Sequence, residues 1–209
     1  MIELGFRVTG ARAEPFAATP TLMFGLAVSE RGGEIIESIA LRCQIRIEPQ
    51  RRRYTKAEEA HLVELFGESP RWGDTLKPFL WTHASTMIPG FRGEATVDLP
   101  VPCTYDLEVA AAKYFHALEG DAIPTLFLFS GTVFARGDGG LRVQPVPWDR
   151  EAPFRLPVAV WRGMMDNYFP GSGWLRLRRE SLDALARYKA RRALATWDDV
   201  VHKLLEDEP

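Results

Sequence analysis

The first half of the chain alternates hydrophobic and polar positions with a period of two. The clearest example is the run Ile39, Leu41, Cys43, Ile45 and Ile47, whose apolar side chains are separated mostly by polar ones. Because successive side chains of a β-strand point to opposite faces, this pattern predicts a long strand with one buried face. Further strands are predicted at 4–8, 21–29, 79–88, 94–99, 105–116 and 141–146. The run 125–135 is apolar on both faces and predicts a central strand that is covered on both sides.

Two glycine-containing segments predict how some of these strands are connected. ERGGE, residues 30–34, joins the second strand to the long one, and RGDGG, residues 136–140, joins the last two. Glycine adopts the positive φ angles that tight hairpins need. We therefore expect a hairpin at each of these segments.

Helical signals lie at 55–66 and in the last quarter of the chain. Thr55 precedes a run of helix formers, and Glu58 stands three residues later, as in a capping box. After Pro157, apolar residues at spacings of three and four predict a helix over 158–169. Further helices are expected to start at Ser181 and at Thr196, with Asp199 as the capping partner of Thr196.

These elements predict an α+β fold in a single domain, 1–209. The β-rich part, 1–148, is expected to form an antiparallel β-sandwich or a strongly curved sheet of about eight strands. The helical part, 149–209, is expected to pack its C-terminal helices on that sheet, because their apolar stripes need to be covered.

Composition narrows the class of protein. The 209 residues carry a net charge of −2, which argues against binding nucleic acid through overall positive charge. The start, MIELGFRVTG, does not look like a secretory signal, and the sequence lacks the roughly 18 consecutive apolar residues of a membrane helix. We therefore expect a cytoplasmic protein without a membrane span. Cys43 and Cys103 suit a reducing compartment, although a disulfide between them stays open.

FPGSGW, residues 169–174, raises the possibility of a nucleophilic serine. A nucleophile elbow would need glycine at 170 and 174, where proline and tryptophan stand, and it would follow a strand rather than a helix. A phosphate loop would need a lysine before the serine or threonine. The segment is therefore predicted to be a turn that ends the preceding helix.

Other candidate sites each have a plain structural explanation. No two histidines share a helix at metal-ligand spacing and neither cysteine has a C-x-x-C partner, so no metal or other cofactor is expected, although a site assembled from the distant His83, Cys103 and His116 stays open. Two carboxylate pairs also have structural explanations. The solvent-exposed face of a strand explains Asp106 with Glu108, and the first turn of a helix explains Asp198 with Asp199. No residue is therefore assigned a catalytic role, and we do not expect an enzyme.

A basic cluster near the C-terminus is the strongest candidate for an interface. Between residues 176 and 192 there are seven basic and two acidic residues. This asymmetry suits an acidic protein partner or a nucleic acid, although a solvated helix face explains it as well. Nearby tryptophans are expected either to join the sheet to the helices or, where exposed, to anchor a partner. The predicted interface residues are Arg176, Arg178, Arg179, Arg187, Arg191, Arg192, Trp161 and Trp174.

The succession from GTVFARGDGGLRVQP to ESLDALARYKARR, within residues 129–192, resembles an uncharacterised bacterial family. Its members are encoded beside actinobacterial-type, high-affinity uptake [NiFe] hydrogenases. The resemblance covers most of the chain and implies a cytoplasmic protein that serves the assembly, maturation or operation of a hydrogenase. It implies no catalytic residue and no cofactor.

We therefore expect a non-enzymatic accessory protein that binds a hydrogenase subunit or maturation factor. One alternative is a chaperone that holds unfolded or pre-export chains, since a sheet followed by helices is similar to the SecB-type chaperones. Another is a hydrolase whose site is assembled from residues distant in sequence. The oligomeric state stays open.

Overall fold

The fold is taken from a computed structural model, which describes residues 2–106, 109–137, 140–173 and 175–206. It contains eight strands: β1 (Leu4–Ala13), β2 (Thr21–Glu30), β3 (Ile35–Ile47), β4 (Phe79–Arg92), β5 (Glu94–Pro102), β6 (Ala122–Gly137), β7 (Gly140–Pro145) and β8 (Glu151–Pro157). The six α-helices are α1 (Lys56–Phe66), α2 (Trp72–Thr75), α3 (Ala110–Ala117), α4 (Val158–Tyr168), α5 (Arg179–Arg191) and α6 (Trp197–Glu206).

The strands form two antiparallel sheets that face each other. The first has the order β1-β2-β5, and the second has the order β4-β3-β6-β7, with β8 also paired to β6. Aromatic rings meet between the sheets: Phe6 stacks on Phe129 with centroids 4.5 Å apart, and Phe24 meets Phe127 edge-on at 5.1 Å. The predicted α+β fold with an antiparallel sandwich is therefore confirmed.

The long strand β3 follows the predicted alternation. The side chains of Ile39, Leu41, Cys43, Ile45 and Ile47 are all buried, and β3 pairs with β4 on one side and β6 on the other. The 16-residue strand β6 is also central. It pairs with β3 along one edge, and β7 and β8 pair with successive parts of its other edge. The apolar run in β6 thus fits a strand covered on both faces.

One connection and two strands differ from the sequence prediction. ERGGE does not form a hairpin, because β2 and β3 lie in different sheets. Instead the carboxylate of Glu30 accepts hydrogen bonds from the backbone of Gly32 and Glu34 and holds a bend that crosses between the sheets. The predicted strand 105–116 is wrong, since α3 occupies its second half. Strand β8 was not predicted.

The predicted β6–β7 pairing is confirmed, with Gly137 opposite Gly140, while residues 138 and 139 of RGDGG lie outside the described residues. The helix after Thr55 is also confirmed. Thr55 Oγ1 accepts from the backbone of Glu58, whose carboxylate accepts from the backbone of Thr55. Thr196 and Asp199 make the same reciprocal contacts before α6.

The chain separates into two compact units, 1–174 and 175–209. The first contains the sandwich together with α1 to α4, and α4 contacts β1, β2 and β8. The hydrophobic core lies in this unit, and its last buried member among the described residues is Met165. The second unit, called here the C-terminal helical unit, contains α5 and α6, which contact each other.

Candidate functional site

The described part of FPGSGW, residues 169–173, is a turn, as predicted. Helix α4 ends at Tyr168, and Pro170 follows as a residue that cannot continue the helix. Gly171 has a φ of 59°, a conformation that suits glycine, and the backbone N–H of Ser172 donates to the carbonyl of Phe169. Trp174 lies outside the described residues. Ser172 therefore has the setting of a turn residue and not that of an activated nucleophile.

The predicted basic cluster lies in the C-terminal helical unit. Arg176 and Arg178 precede α5, whereas Arg179, Arg187 and Arg191 lie within it. These five side chains are exposed and form no ion pair with a described residue. Their charge is thus not neutralised within the part of the chain that the structure describes.

Two other cations of this segment have intramolecular contacts. The guanidinium of Arg192 lies 5.4 Å from the centroid of the Tyr188 ring. The ammonium of Lys189 donates to the carbonyls of Leu194 and Ala195, at 2.9 and 2.7 Å, and lies over the ring of Trp197. Lys189 therefore ties the end of α5 to the start of α6.

Helix α6 carries an exposed apolar stripe. Trp197, Val201 and Leu204 recur at spacings of four and three, so they share one face, and Leu205 lies beside them. These four side chains are between 41% and 62% exposed. Leu182 of α5 is exposed as well. The helical unit thus presents apolar side chains and unpaired arginines together.

The tryptophans divide between the core and the surface. Trp161 is 2% exposed and packs against Phe115 and Tyr105, so it joins α4 to α3 as a core residue. This burial does not fit an interface anchor. Trp148 is 94% exposed in the turn between β7 and β8, and it therefore does not join sheet to helices.

A second candidate site, called here the helical cleft, lies where α1, α3 and α4 meet in the first unit. Each helix contributes two polar residues three or four positions apart, a spacing that places both on one face. The cleft has a volume of about 730 Å³, within the usual range of small-molecule sites. The helical pairs are His61 with Glu64, Lys113 with His116, and Arg162 with Asp166; Tyr105 and Glu119 complete the polar lining.

Charged contacts fix the walls of this cleft. Lys113 pairs with Glu64 and so connects α3 to α1. The guanidinium of Arg162 donates to the carbonyl of Leu118, just after α3. The Tyr105 ring lies nearly parallel to Trp161, with an interplanar angle of 9° and centroids 6.2 Å apart. The cleft therefore has a charged rim and a flat aromatic wall.

His116 has a distinctive electrostatic setting. His116 is exposed at the cleft surface, yet partial burial lowers the pKa of its imidazole, and the neighbouring Arg162 and His61 lower it further. His116 is therefore neutral at pH 7, with one ring nitrogen free to accept and the other to donate a hydrogen bond.

A buried polar network holds the start of α1. Arg52 and Glu58 form an ion pair of 2.6 Å, and Glu58 also accepts from the backbone of Thr55 and Glu119. The hydroxyl groups of Tyr54 and Tyr114 are 2.7 Å apart. Burial raises the pKa of Tyr114 to about 12, so this pair is uncharged. We therefore assign this network a structural role.

The remaining sequence candidates are not brought together into a site. The described residues include no group of three or more His, Cys, Asp and Glu side chains able to hold a metal ion, so His83, Cys103 and His116 do not form one. Both cysteines are free thiols, and burial raises the pKa of each to about 12, which disfavours the reactive thiolate.

The two carboxylate pairs have different outcomes. Asp199 caps α6, and its hydrogen bonds with Thr196 lower its pKa. Asp106 lies before α3, while Glu108 is outside the described residues. Sequence reasoning missed the helical cleft, because Lys113 and His116 stand on one face only when residues 110–117 are helical.

The protein therefore has an α+β fold. Its first unit is an antiparallel sandwich with helices α1, α3 and α4 around a cleft, and its second unit consists of two helices. Its sequence belongs to the Family of unknown function (DUF6084), whose match covers residues 1–209. The predicted membership of an uncharacterised family is thereby confirmed, whereas the association with hydrogenase remains a prediction.

Among curated proteins, none matches the sequence significantly. Among solved structures, the chain is similar to a beta-glucosidase from Kluyveromyces marxianus, at 7% identity over 75% of this chain and 15% of that one, with a TM-score of 0.26. The chain is also similar to the same enzyme in complex with glucose, at 8% identity over 74% of this chain and 15% of that one, with a TM-score of 0.26. A putative ApaA protein from Bordetella pertussis gives 14% identity over 74% of this chain and 93% of that one, with a TM-score of 0.24.

This chain thus spans only about 15% of the beta-glucosidase chains. The TM-scores are too low to support an argument about fold or function. No helix among the described residues is long and apolar enough to cross a membrane.

Proposed function

We propose that this protein is a non-enzymatic accessory protein that docks on another protein through its C-terminal helical unit. The observation that carries the proposal is the combination, within α5 and α6, of exposed apolar side chains with unpaired arginines. Apolar side chains supply the binding energy of a protein interface, and arginines select an acidic partner and its orientation. The partner surface is accordingly apolar at its centre and acidic at its edge.

The resemblance noted from residues 129–192 suggests which partner this is. We propose a subunit or maturation factor of an uptake [NiFe] hydrogenase, in whose assembly, maturation or operation the protein serves. Among its described residues, the lining of the helical cleft offers no serine, threonine or cysteine as a nucleophile for the hydrolase alternative.

The experiment is quantitative co-purification from the native host under conditions that induce hydrogenase. The tagged wild type is compared with the double variant Arg187→Glu/Arg191→Glu and with Arg7→Glu, which reverses an exposed charge on β1. We expect hydrogenase subunits or maturation proteins in stoichiometric amount with the wild type and the Arg7 variant, and a loss of at least tenfold with the double variant.

Two results would count against the proposal. One is a deletion strain with normal hydrogenase assembly and activity. The other is a partner that the wild type and the double variant retain equally. Retention of many unrelated unfolded chains, in place of one partner, would favour the chaperone alternative.

A further inference from the structure

The helical cleft presents hydrogen-bond donors that have no acceptor among the described residues. Arg162 is exposed and donates to the Leu118 carbonyl through Nη2, which holds one side of the guanidinium at the cleft wall. Its Nε and Nη1 groups make no hydrogen bond with a described residue, and neither do the imidazoles of His61 and His116. A guanidinium carries five N–H donors, so one whose other donors are not used within the protein can bind an oxyanion.

Basic groups also lie near the His116 imidazole at this end of the cleft. Arg162 and His61 lower the pKa of the His116 imidazole, and both are basic. Of the three carboxylates in the lining, Glu64 is paired with Lys113, and Glu119 is contacted by the Thr55 hydroxyl at 3.5 Å. Asp166 is the third, one helical turn after Arg162 on α4.

The apolar part of the lining indicates the rest of the ligand. The half-buried ring of Tyr105 forms a flat wall backed by Trp161, and Met165 lies beside it. A planar or apolar group gains stability against such a surface. The volume of about 730 Å³ suits a small molecule rather than a folded partner.

We propose that the helical cleft binds a small organic anion, whose phosphate or carboxylate group is held by Arg162, His116 and His61 while its apolar part lies against Tyr105. This site lies wholly in the first unit and goes beyond the docking function proposed for α5 and α6. It adds a small-molecule ligand to a protein otherwise proposed to bind a protein.

Binding of an anion is coupled to protonation of His116. A bound negative charge favours the imidazolium, so it raises the pKa of His116, and affinity for the anion rises as the pH falls through that pKa. The titratable and charged groups that face this position are His61 and Glu64 of α1, Lys113 of α3, and Arg162 and Asp166 of α4, together with Tyr105 and Glu119.

The test uses the full chain and follows the imidazole Cε1–H signals by NMR. Phenyl phosphate and benzoate are titrated separately at constant ionic strength maintained with chloride. We expect saturable shifts of the His61 and His116 signals and a higher pKa of His116 at saturation. The signal of His83, which lies on β4 outside the cleft, is the internal reference and should not move. The probe with the higher affinity distinguishes a phosphate from a carboxylate ligand.

Arg162→Gln should weaken binding about tenfold or more, because a charge-assisted hydrogen bond is lost. Arg155→Gln is the matched control, since Arg155 is an exposed arginine of β8 paired with Asp121. A His83 signal at its wild-type position shows that each variant is folded. His116→Gln should still bind, but with a weaker pH dependence.

The proposal is overturned if neither probe gives a saturable shift, or if the His61 and His116 signals move no more than that of His83. It is equally overturned if Arg162→Gln binds as tightly as the wild type and the Arg155 variant.

Discussion

At the scale of single residues, the buried ion pair between Arg52 and Glu58 has the largest expected effect. Both side chains are almost fully buried. Arg52 also donates to the carbonyls of Gly120 and Ala122, while Glu58 accepts from the backbone of Glu119. The pair therefore joins the start of α1 to the segment that enters β6. Removing one partner leaves the other charge buried without compensation.

Glu58→Ala should therefore lower the free energy of unfolding by about 3–5 kcal/mol, measured by urea denaturation. Glu59→Ala is the matched control on the next residue. Glu59 pairs with the exposed Lys56, so its loss should cost less than about 1 kcal/mol. Equal effects of the two substitutions would show that Glu58 does not have the structural role assigned to it.

The second prediction at this scale concerns His116. Its pKa is lowered in the folded chain, so the unfolded chain binds a proton more readily between the folded pKa and the ordinary value of 6.5. Stability must then rise with pH through this window and become independent of this group above it.

His116→Gln removes this contribution. The stability of the wild type relative to the variant should therefore be higher at about pH 7.5 than at about pH 5. The measurement is the urea midpoint of both proteins at the two pH values. A difference between wild type and variant that does not change with pH would contradict the assigned environment of His116.

At the scale of elements, the sequence predicted those whose signals are local. The α1 helix carries its capping box in four consecutive residues, and β3 carries five apolar positions with period two, so each could be recognised alone. Helix α3 was missed because Tyr105, Leu107, Val109 and Ala111 alternate by coincidence. The alanine run at its start favours a helix, and the buried face of Ala111, Tyr114 and Phe115 exists only in that helix.

Strand β8 was missed for a different reason. Pro153 and Pro157 argue against a strand, because proline cannot donate to a ladder. β8 pairs with β6 alone, so its prolines do not interrupt a second ladder. Whether a strand lies at an edge depends on tertiary pairing, which a local pattern does not contain. The helical cleft could not be predicted for the same reason, since it requires α3 and the meeting of three helices.

The prediction at the scale of elements concerns Gly131 in β6. Its φ of 140° is strained for other residues, and a Cβ there would lie 2.1 Å from the carbonyl oxygen of Ala40 on β3. Gly131→Ala should therefore destabilise the protein by at least about 2 kcal/mol, seen as a lower melting temperature in circular dichroism.

The control for this prediction is Gly10→Ala on β1. A Cβ at Gly10 meets no atom within 4 Å, and its φ is not positive. The Gly10 variant should therefore melt near the wild-type temperature. If the Gly131→Ala variant also melted near the wild-type temperature, the prediction would be wrong. β3 and β6 would then be able to move apart and make room for the added Cβ.

At the scale of the whole molecule, the two compact units have different kinds of surface. The first unit contains the core and the helical cleft, whereas no described residue of α5 is buried and Val200 is the single buried residue of α6. Two amphipathic helices that bury so little apolar surface gain little stability from packing. This imbalance is expected if the role of the C-terminal helical unit is to bind another molecule.

Truncation after residue 174 tests this division. The described core ends at Met165, with Phe169 as a partly buried neighbour, so the chain 1–174 retains every described residue of the core cluster. We expect it to unfold cooperatively with a melting temperature close to that of the full chain, and to retain anion binding in the helical cleft. Binding to the protein partner should be lost.

The matched comparison is the full chain carrying Arg187→Glu and Arg191→Glu, which removes the charge complementarity but keeps both helices. If the truncated chain aggregates while this double variant is folded, the helical unit stabilises the first unit and is not only a docking element. If the truncated chain is folded and still binds the partner, the docking surface lies on the first unit. The exposed Trp148 would then be the first residue to replace, because a fully exposed tryptophan in a turn has the character of an interface anchor.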